Sequence, residues 1–239
     1  MISRSRAAFK RLQRQIERSN ACPRLVRYCL AVARTRRPLY RSQTYWGKAV
    51  PGFGDPEAEL LVIGLAPAAH GGNRTGRMFT GDRSGDFLFR ALYKAGFANQ
   101  PSSSHRRDGL QLINCYVTAA VRWAPPGNKP TPREIRRCLP FLRRELALLP
   151  RVKVVLVLGK IAFDAYLQIA RRLAVLPPRS RMPFAHGADY RLPDPLPRLV
   201  CSYHPSQHNT QTGKLTPAMF RQVLQRARWR IAEAQPVAR

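Results

Sequence analysis

The stretch LLVIGLAPAAHGGNRTGRMFTGDRSG, residues 60–85, joins a short apolar run to a long loop. Residues 60–66 read as a strand. The loop that follows, Gly64 to Gly85, carries six glycines and a single acid, Asp82. Such a loop lets the backbone come close to a ligand. Downstream, Asp86–Ala95 reads as a helix, Leu112–Val121 as a strand and Pro132–Leu149 as a helix with Thr131 as N-cap. Val152–Leu158 is a β-branched run suited to a strand buried on both faces. Ile161–Ala174 (helix), Arg198–Tyr203 (strand) and Thr216–Ala234 (helix) complete the pattern. Strands alternating with helices predict an α/β fold whose parallel sheet is covered on both faces. In such sheets, sites form at the carboxyl ends of the strands. Three polar loops leave those ends: 64–85, 122–131 and 204–213.

Charge dominates the composition. Forty-two Lys and Arg against thirteen Asp and Glu give the 239-residue chain a formal charge of +29. That excess predicts a polyanionic partner, and the preponderance of Arg suits phosphate. An Arg-rich composition arising from genome bias is the alternative. No apolar run approaches the roughly 18 residues of a membrane span, and the N-terminus shows no apolar signal segment. Five widely spaced cysteines without a C-x-x-C pair argue against a disulfide framework and for a reducing compartment. Residues 1–20 are basic, with Phe9, Leu12 and Ile16 on one helical face. They read as a packed helix, a DNA-contacting arm or a targeting segment, with the first two preferred.

Within the long loop, Gly71–Met78 nearly matches the phosphate loop G-x4-G-K-[ST]. Arg77 replaces its Lys and Met78 its hydroxyl, which argues against a nucleoside triphosphatase. The AHGG segment is similar to an esterase oxyanion loop, but no G-x-S-x-G elbow accompanies it. Phe79 is suited either to stacking on a flat ligand or to anchoring the loop in the core. Asp82 is suited to a catalytic role, an ion pair or a helix N-cap. His204, directly after the last strand and followed by Pro-Ser, is placed to meet a ligand.

The segments PGFGDPEAELLVIGLAPAAHGGNRTGRMFTGDRSG (51–85), YVTAAVRWAPPGNKPTP (116–132) and SYHPSQHNTQTG (202–213) together resemble the uracil-DNA glycosylase superfamily, most closely its family 5, the type b enzymes. The resemblance runs from about residue 22 to 225. It implies a three-layer α/β/α sandwich around a central parallel four-stranded sheet. It implies a base-excision-repair enzyme, a monofunctional DNA glycosylase that flips out and excises uracil, with a wider range that takes in deaminated purines such as hypoxanthine or xanthine, and leaves an abasic site. A catalytically inactive DNA-binding member of the same fold is the alternative. By the same resemblance, Asp82 and His204 are catalytic, and Ala66, Phe79, Asn128 and Asn209 bind the base. Arg74, Arg77 and Ser206 contact the DNA backbone. The expected division is a basic helical arm over 1–45, packed on a glycosylase-like domain over 46–235. The expected protein is a monomer acting on DNA in the cytoplasm, at the nucleoid, without a membrane partner.

Type b enzymes resemble type a in carrying a [4Fe–4S] cluster on four cysteines. The corresponding positions here are Ser19, Cys22, Trp123 and Cys138, so half of the thiolate set is missing. Cys29 lies seven residues beyond Cys22, about 10 Å along a helix. The expectation is that the cluster is absent or altered, that Trp123 fills part of its volume and that catalysis requires no cofactor.

Overall fold

Four apolar pentapeptides, LLVIG, CYVTA, VVLVL and RLVCS, form the centre of the fold, and each is almost wholly buried. Runs of this kind lack a polar face and need helices on both sides. A computed structural model describes residues 2–234, and the side chains of residues 6–234. In chain order the elements are helices α1 (Ile2–Glu17) and α2 (Pro23–Thr35), strands β1 (Phe53–Gly54) and β2 (Leu60–Gly64), then α3 (Gly72–Thr75) and α4 (Arg83–Lys94). β3 (Cys115–Ala119), α5 (Pro132–Ala147), β4 (Val154–Leu158) and α6 (Lys160–Ala170) follow. β5 (Asp189–Tyr190), β6 (Arg198–Ser202), α7 (Gln207–Gln211) and α8 (Pro217–Glu233) complete the series.

The strands form one six-stranded sheet in the order β1-β3-β2-β4-β6-β5. Its central four are parallel, as the sequence predicts. Each edge adds a two-residue antiparallel strand, β1 on β3 and β5 on β6, too short to leave a pattern in the sequence. Alternation along the strands sorts the core into two layers. Leu60, Val62, Val117, Leu156 and Val200 pack with Leu88, Phe89 and Leu92 of α4 and Phe220 and Leu224 of α8. Leu61, Ile63, Val155, Val157 and Leu199 face Phe163 and Tyr166 of α6 and Leu142 of α5.

α1 lies against α5. Its Phe9 ring meets Tyr116 at 5.5 Å, and its Leu12 and Ile16 are buried in a third apolar cluster. α5 begins as the sequence indicates, with Thr131 and Glu134 forming a reciprocal capping box ahead of Pro132. An ion pair buried on both sides, Arg122 at 0% and Glu145 at 1% exposure, ties α5 to the end of β3. Glu145 also accepts from Thr118 and from the backbone N–H of Gly52, so its charge is fully paired. Gly64 pairs with Ala119, and Leu158 with Ser202, so the parallel strands end together at one edge. The three long polar loops leave from that edge.

Candidate active site

At this edge Phe79, His204, Asn209 and Ser206 are linked by packing and hydrogen bonds, and Asp82 stands at the start of α4. Asp82 N-caps α4, its Oδ1 accepting from Gly85 N at 3.0 Å. Its other oxygen lies against Gly71, where a Cβ would fall 1.9 Å from Oδ2. The carboxylate therefore occupies space that any residue larger than glycine would take. Burial raises its pKa above the usual carboxylate value, outweighing the hydrogen bond from Gly85. The N-cap and catalytic readings of Asp82 are compatible, because the cap uses one oxygen.

Phe79 has a left-handed backbone, φ 52°, which is costly for a bulky residue and is sustained only by tight surroundings. Those surroundings include Gly64, whose Cβ would come within 2.5 Å of the ring. At 7% exposure the ring is also part of the core layer under α4 and α8, so it is an anchor. One side of it lies against the His204 ring, centroids 5.8 Å apart and planes 27° from parallel. Burial depresses the pKa of His204 from 6.5 to about 4, so the imidazole is neutral at physiological pH. Asn209 holds the loop beneath it by donating from Nδ2 to the His204 carbonyl at 2.8 Å. Ser206 is the N-cap of the short α7, accepting from Asn209 N.

Asn128 stands apart. It is solvent-exposed at φ 57° on the loop after β3, and no hydrogen bond among the described residues joins it to Asp82 or His204. Ala66 packs towards the third apolar cluster beneath the loop.

Arg74 and Arg77 are buried, at 9% and 6% exposure. Both were expected at DNA phosphates, and both are turned inward. Arg74 donates to the His70 carbonyl at 2.7 Å, to Gln43 at 2.5 Å and to the Gly81 carbonyl at 2.8 Å, and stacks over Tyr40. Arg77 donates to Ser103 and Thr80 and forms a buried ion pair with Asp108 at 2.7 Å. Their guanidinium groups hold the glycine-rich loop in shape. The sequence could not show this, because Asp108 is thirty-one positions from Arg77. Two further contributors escaped the sequence reading. Gly71 had a signal in the Gly71-Gly72 pair. Tyr45, whose hydroxyl meets His70 Nδ1 at 2.9 Å, had none.

A sequence profile described as the Uracil DNA glycosylase superfamily matches residues 51–228. The chain belongs to that superfamily. A type-5 uracil-DNA glycosylase of Thermus thermophilus is 50% identical to it over 208 residues, 87% of this chain and 91% of the relative. One from Mycobacterium leprae is 45% identical over 95% of this chain and 98% of its own length. A third, from Pyrobaculum aerophilum, is 45% identical over 86% of both chains.

The iron–sulfur positions of this glycosylase family do not fit a cluster here. Cys22 Sγ donates to the Glu134 carbonyl at 3.8 Å, and the neighbouring Cys138 thiol pulls the pKa of Cys22 down while Cys22 pushes that of Cys138 well up. Trp123, 1% exposed, is packed with them, together with Leu12, Ile16 and Leu25. Ser19 accepts from Ala21 N. Cys29 donates to the Ala124 carbonyl, and burial pushes its thiol up to about 12, far from a thiolate. Aromatic and aliphatic side chains occupy this region, and two of the four ligand positions carry no sulfur.

Proposed function

We propose that this glycosylase-superfamily protein excises uracil from DNA by hydrolysing the N-glycosidic bond, leaving free base and an abasic site. The observation that supports the reading is the stacking of Phe79 on His204 at the sheet edge, with Asp82 on the same loop as Phe79 at the start of α4, in a chain with type-5 relatives over most of its length. The lesion is flipped out of the duplex, at a cost of a few kcal/mol that is lowest for a mispaired base. Phe79 gives the flipped base an apolar surface. Stacking of this kind tolerates several ring systems, which supports a range extending to hypoxanthine and xanthine. Ala66 and Asn209 line or position the base pocket, and Asn128 approaches the base from the exposed loop after β3.

As the bond breaks, its electron pair leaves with the base and the sugar becomes oxocarbenium-like. Neutral His204 donates a hydrogen bond to the base oxygen that gains charge, from an orientation fixed by Asn209 and Phe79. Asp82, in a poorly solvated position, stabilises the sugar cation and takes the proton of the attacking water. These side chains do the work without a cofactor, and the packed Trp123 supports an iron-free fold.

The large positive charge draws the DNA, with Ser206 among the backbone contacts. Residues 1–45 serve as a basic helical arm packed on a glycosylase-like body over 46–235. No described helix is long and apolar enough to cross a membrane. A monomer at the nucleoid fits this reading. The test is an alkali-nicking assay on end-labelled duplexes containing uracil, hypoxanthine or xanthine, with Asp82→Ala alongside. Nicking by the native protein and not by the variant is the expected result. Tight DNA binding without nicking of any lesion would leave a binding protein on a glycosylase fold.

A further inference from the structure

α4 and α8 lie side by side on one face of the sheet, and both begin near the edge that carries the site. The groove between them encloses about 460 Å³ and runs down the 12-residue α4, about 18 Å from the site edge. Its floor is apolar, built from Phe87 and Ala91 of α4 and its C-cap Ala95, facing Pro217 and Leu224 of α8. Its rim is cationic: Arg83, Arg90, Lys94, Arg221 and Arg228, against the single acid Asp86. Arg228 is fixed there by donating to the Ala95 carbonyl at 2.8 Å. The excision reaction uses none of the floor.

We infer that this groove docks an acidic protein segment that inserts an apolar side chain between α4 and α8. Charge complementarity selects the acidic segment, with five cations facing one acid. The apolar floor selects protein over DNA. A phosphodiester backbone would be satisfied by the cationic rim and has no side chain to bury, whereas a Leu or Phe anchor fills such a groove and gains from leaving water. The inference is independent of the excision chemistry, because a partner docked here leaves Asp82 and His204 untouched.

The experiment uses the full chain and a fluorescein-labelled peptide that repeats two aspartates and one phenylalanine over the length of the groove. Binding is read by fluorescence anisotropy. Matched peptides replace the aspartates with asparagines or the phenylalanines with serines. Ala91→Trp fills the floor without altering charge, and Arg90→Glu with Lys94→Glu reverses part of the rim. Each variant's melting curve and uracil excision are compared with the native protein, and the charge variant carries the test if Ala91→Trp fails to fold. The expected result is binding of the full peptide that both variants weaken by about tenfold or more, with excision unchanged. Equal binding of the serine peptide, or full binding by the variants, would mean a general attraction to net charge and would overturn the inference. Loss of duplex-DNA affinity in the variants with peptide binding intact would make the groove a DNA path, and would also overturn it.

Discussion

Gly71 and Asp82 share one space: a methyl group on Gly71 would fall 1.9 Å from the Asp82 Oδ2. The two positions are eleven residues apart and meet because the loop folds back over the start of α4. Gly71→Ala therefore forces the carboxylate to move or the loop to open. Excision is expected to fall by about a hundredfold or more, since displacement of a reacting group by about 1 Å costs that much. Loosening the cap costs about 1 kcal/mol of stability. Nicking rates and denaturation midpoints of the two proteins decide it, and an unchanged rate would contradict the shared space.

Asp82→Asn separates chemistry from folding. Asn also N-caps helices well, so the hydrogen bond from Gly85 survives. The burial that raises the Asp82 pKa means that its charge is unfavourable to folding, and the amide removes that charge. The expected outcome is loss of excision by about a hundredfold or more with stability equal to or above the native value. A large fall in melting temperature would show that the carboxylate is chiefly structural.

His204 predicts a stability profile with a defined sign. Its pKa is 6.5 in the unfolded chain and about 4 in the fold. As pH falls from 6.5 towards 4, the unfolded chain binds a proton that the folded chain does not. Stability present above pH 6.5 is therefore lost across that window, by up to about 3 kcal/mol. Asp82 has the opposite sign, because its raised folded pKa favours the fold in acid. Urea denaturation across the window should show a shallower acid loss in His204→Gln than in the native protein. In single-turnover excision, His204 should contribute no rate limb near pH 6.5. Such a limb, abolished by the His204→Gln substitution, would refute a neutral imidazole.

Arg77→Ala distinguishes a structural arginine from a phosphate contact. It strands the buried Asp108, with an expected cost of about 3–5 kcal/mol. The salt dependence of DNA binding by the folded variant should keep its slope, whereas loss of a phosphate contact would lower the slope by about 1. Binding isotherms over a salt series make the comparison.

Trp123→Ala opens a cavity among Leu12, Ile16 and Leu25, and should cost about 3–5 kcal/mol. Purified native protein should contain no stoichiometric iron and should keep its activity after prolonged chelation. The reverse experiment is Ser19→Cys with Trp123→Cys, which recreates the four-thiolate set with Cys22 and Cys138. Visible cluster absorbance in that variant alone would tie the missing cluster to these two positions. Iron bound by the native chain would contradict the packing of Trp123.

Much of this molecule was legible in order along the chain. The apolar pentapeptides, the Thr131–Pro132 helix start and the loop glycines are local signals, and each led to the element observed. The element ends were read too long: the strand expected over 112–121 covers only Cys115–Ala119. Apolar residues continue beyond the last ladder pairs there because they face other layers of the core.

The sequence by itself determined the fold class and the sheet edge from which the long polar loops leave, because hydrophobic period and turn chemistry act over a few neighbouring residues. Only the tertiary structure decided which way the charged side chains point. Arg74 and Arg77 turn inward because, besides acceptors in their own loop, they find Gln43 and Asp108 on distant segments. Trp123 is packed beside the thiol pair because α1, α2 and α5 meet over it. Packing of this kind depends on contacts between segments far apart in the chain, which no local pattern records.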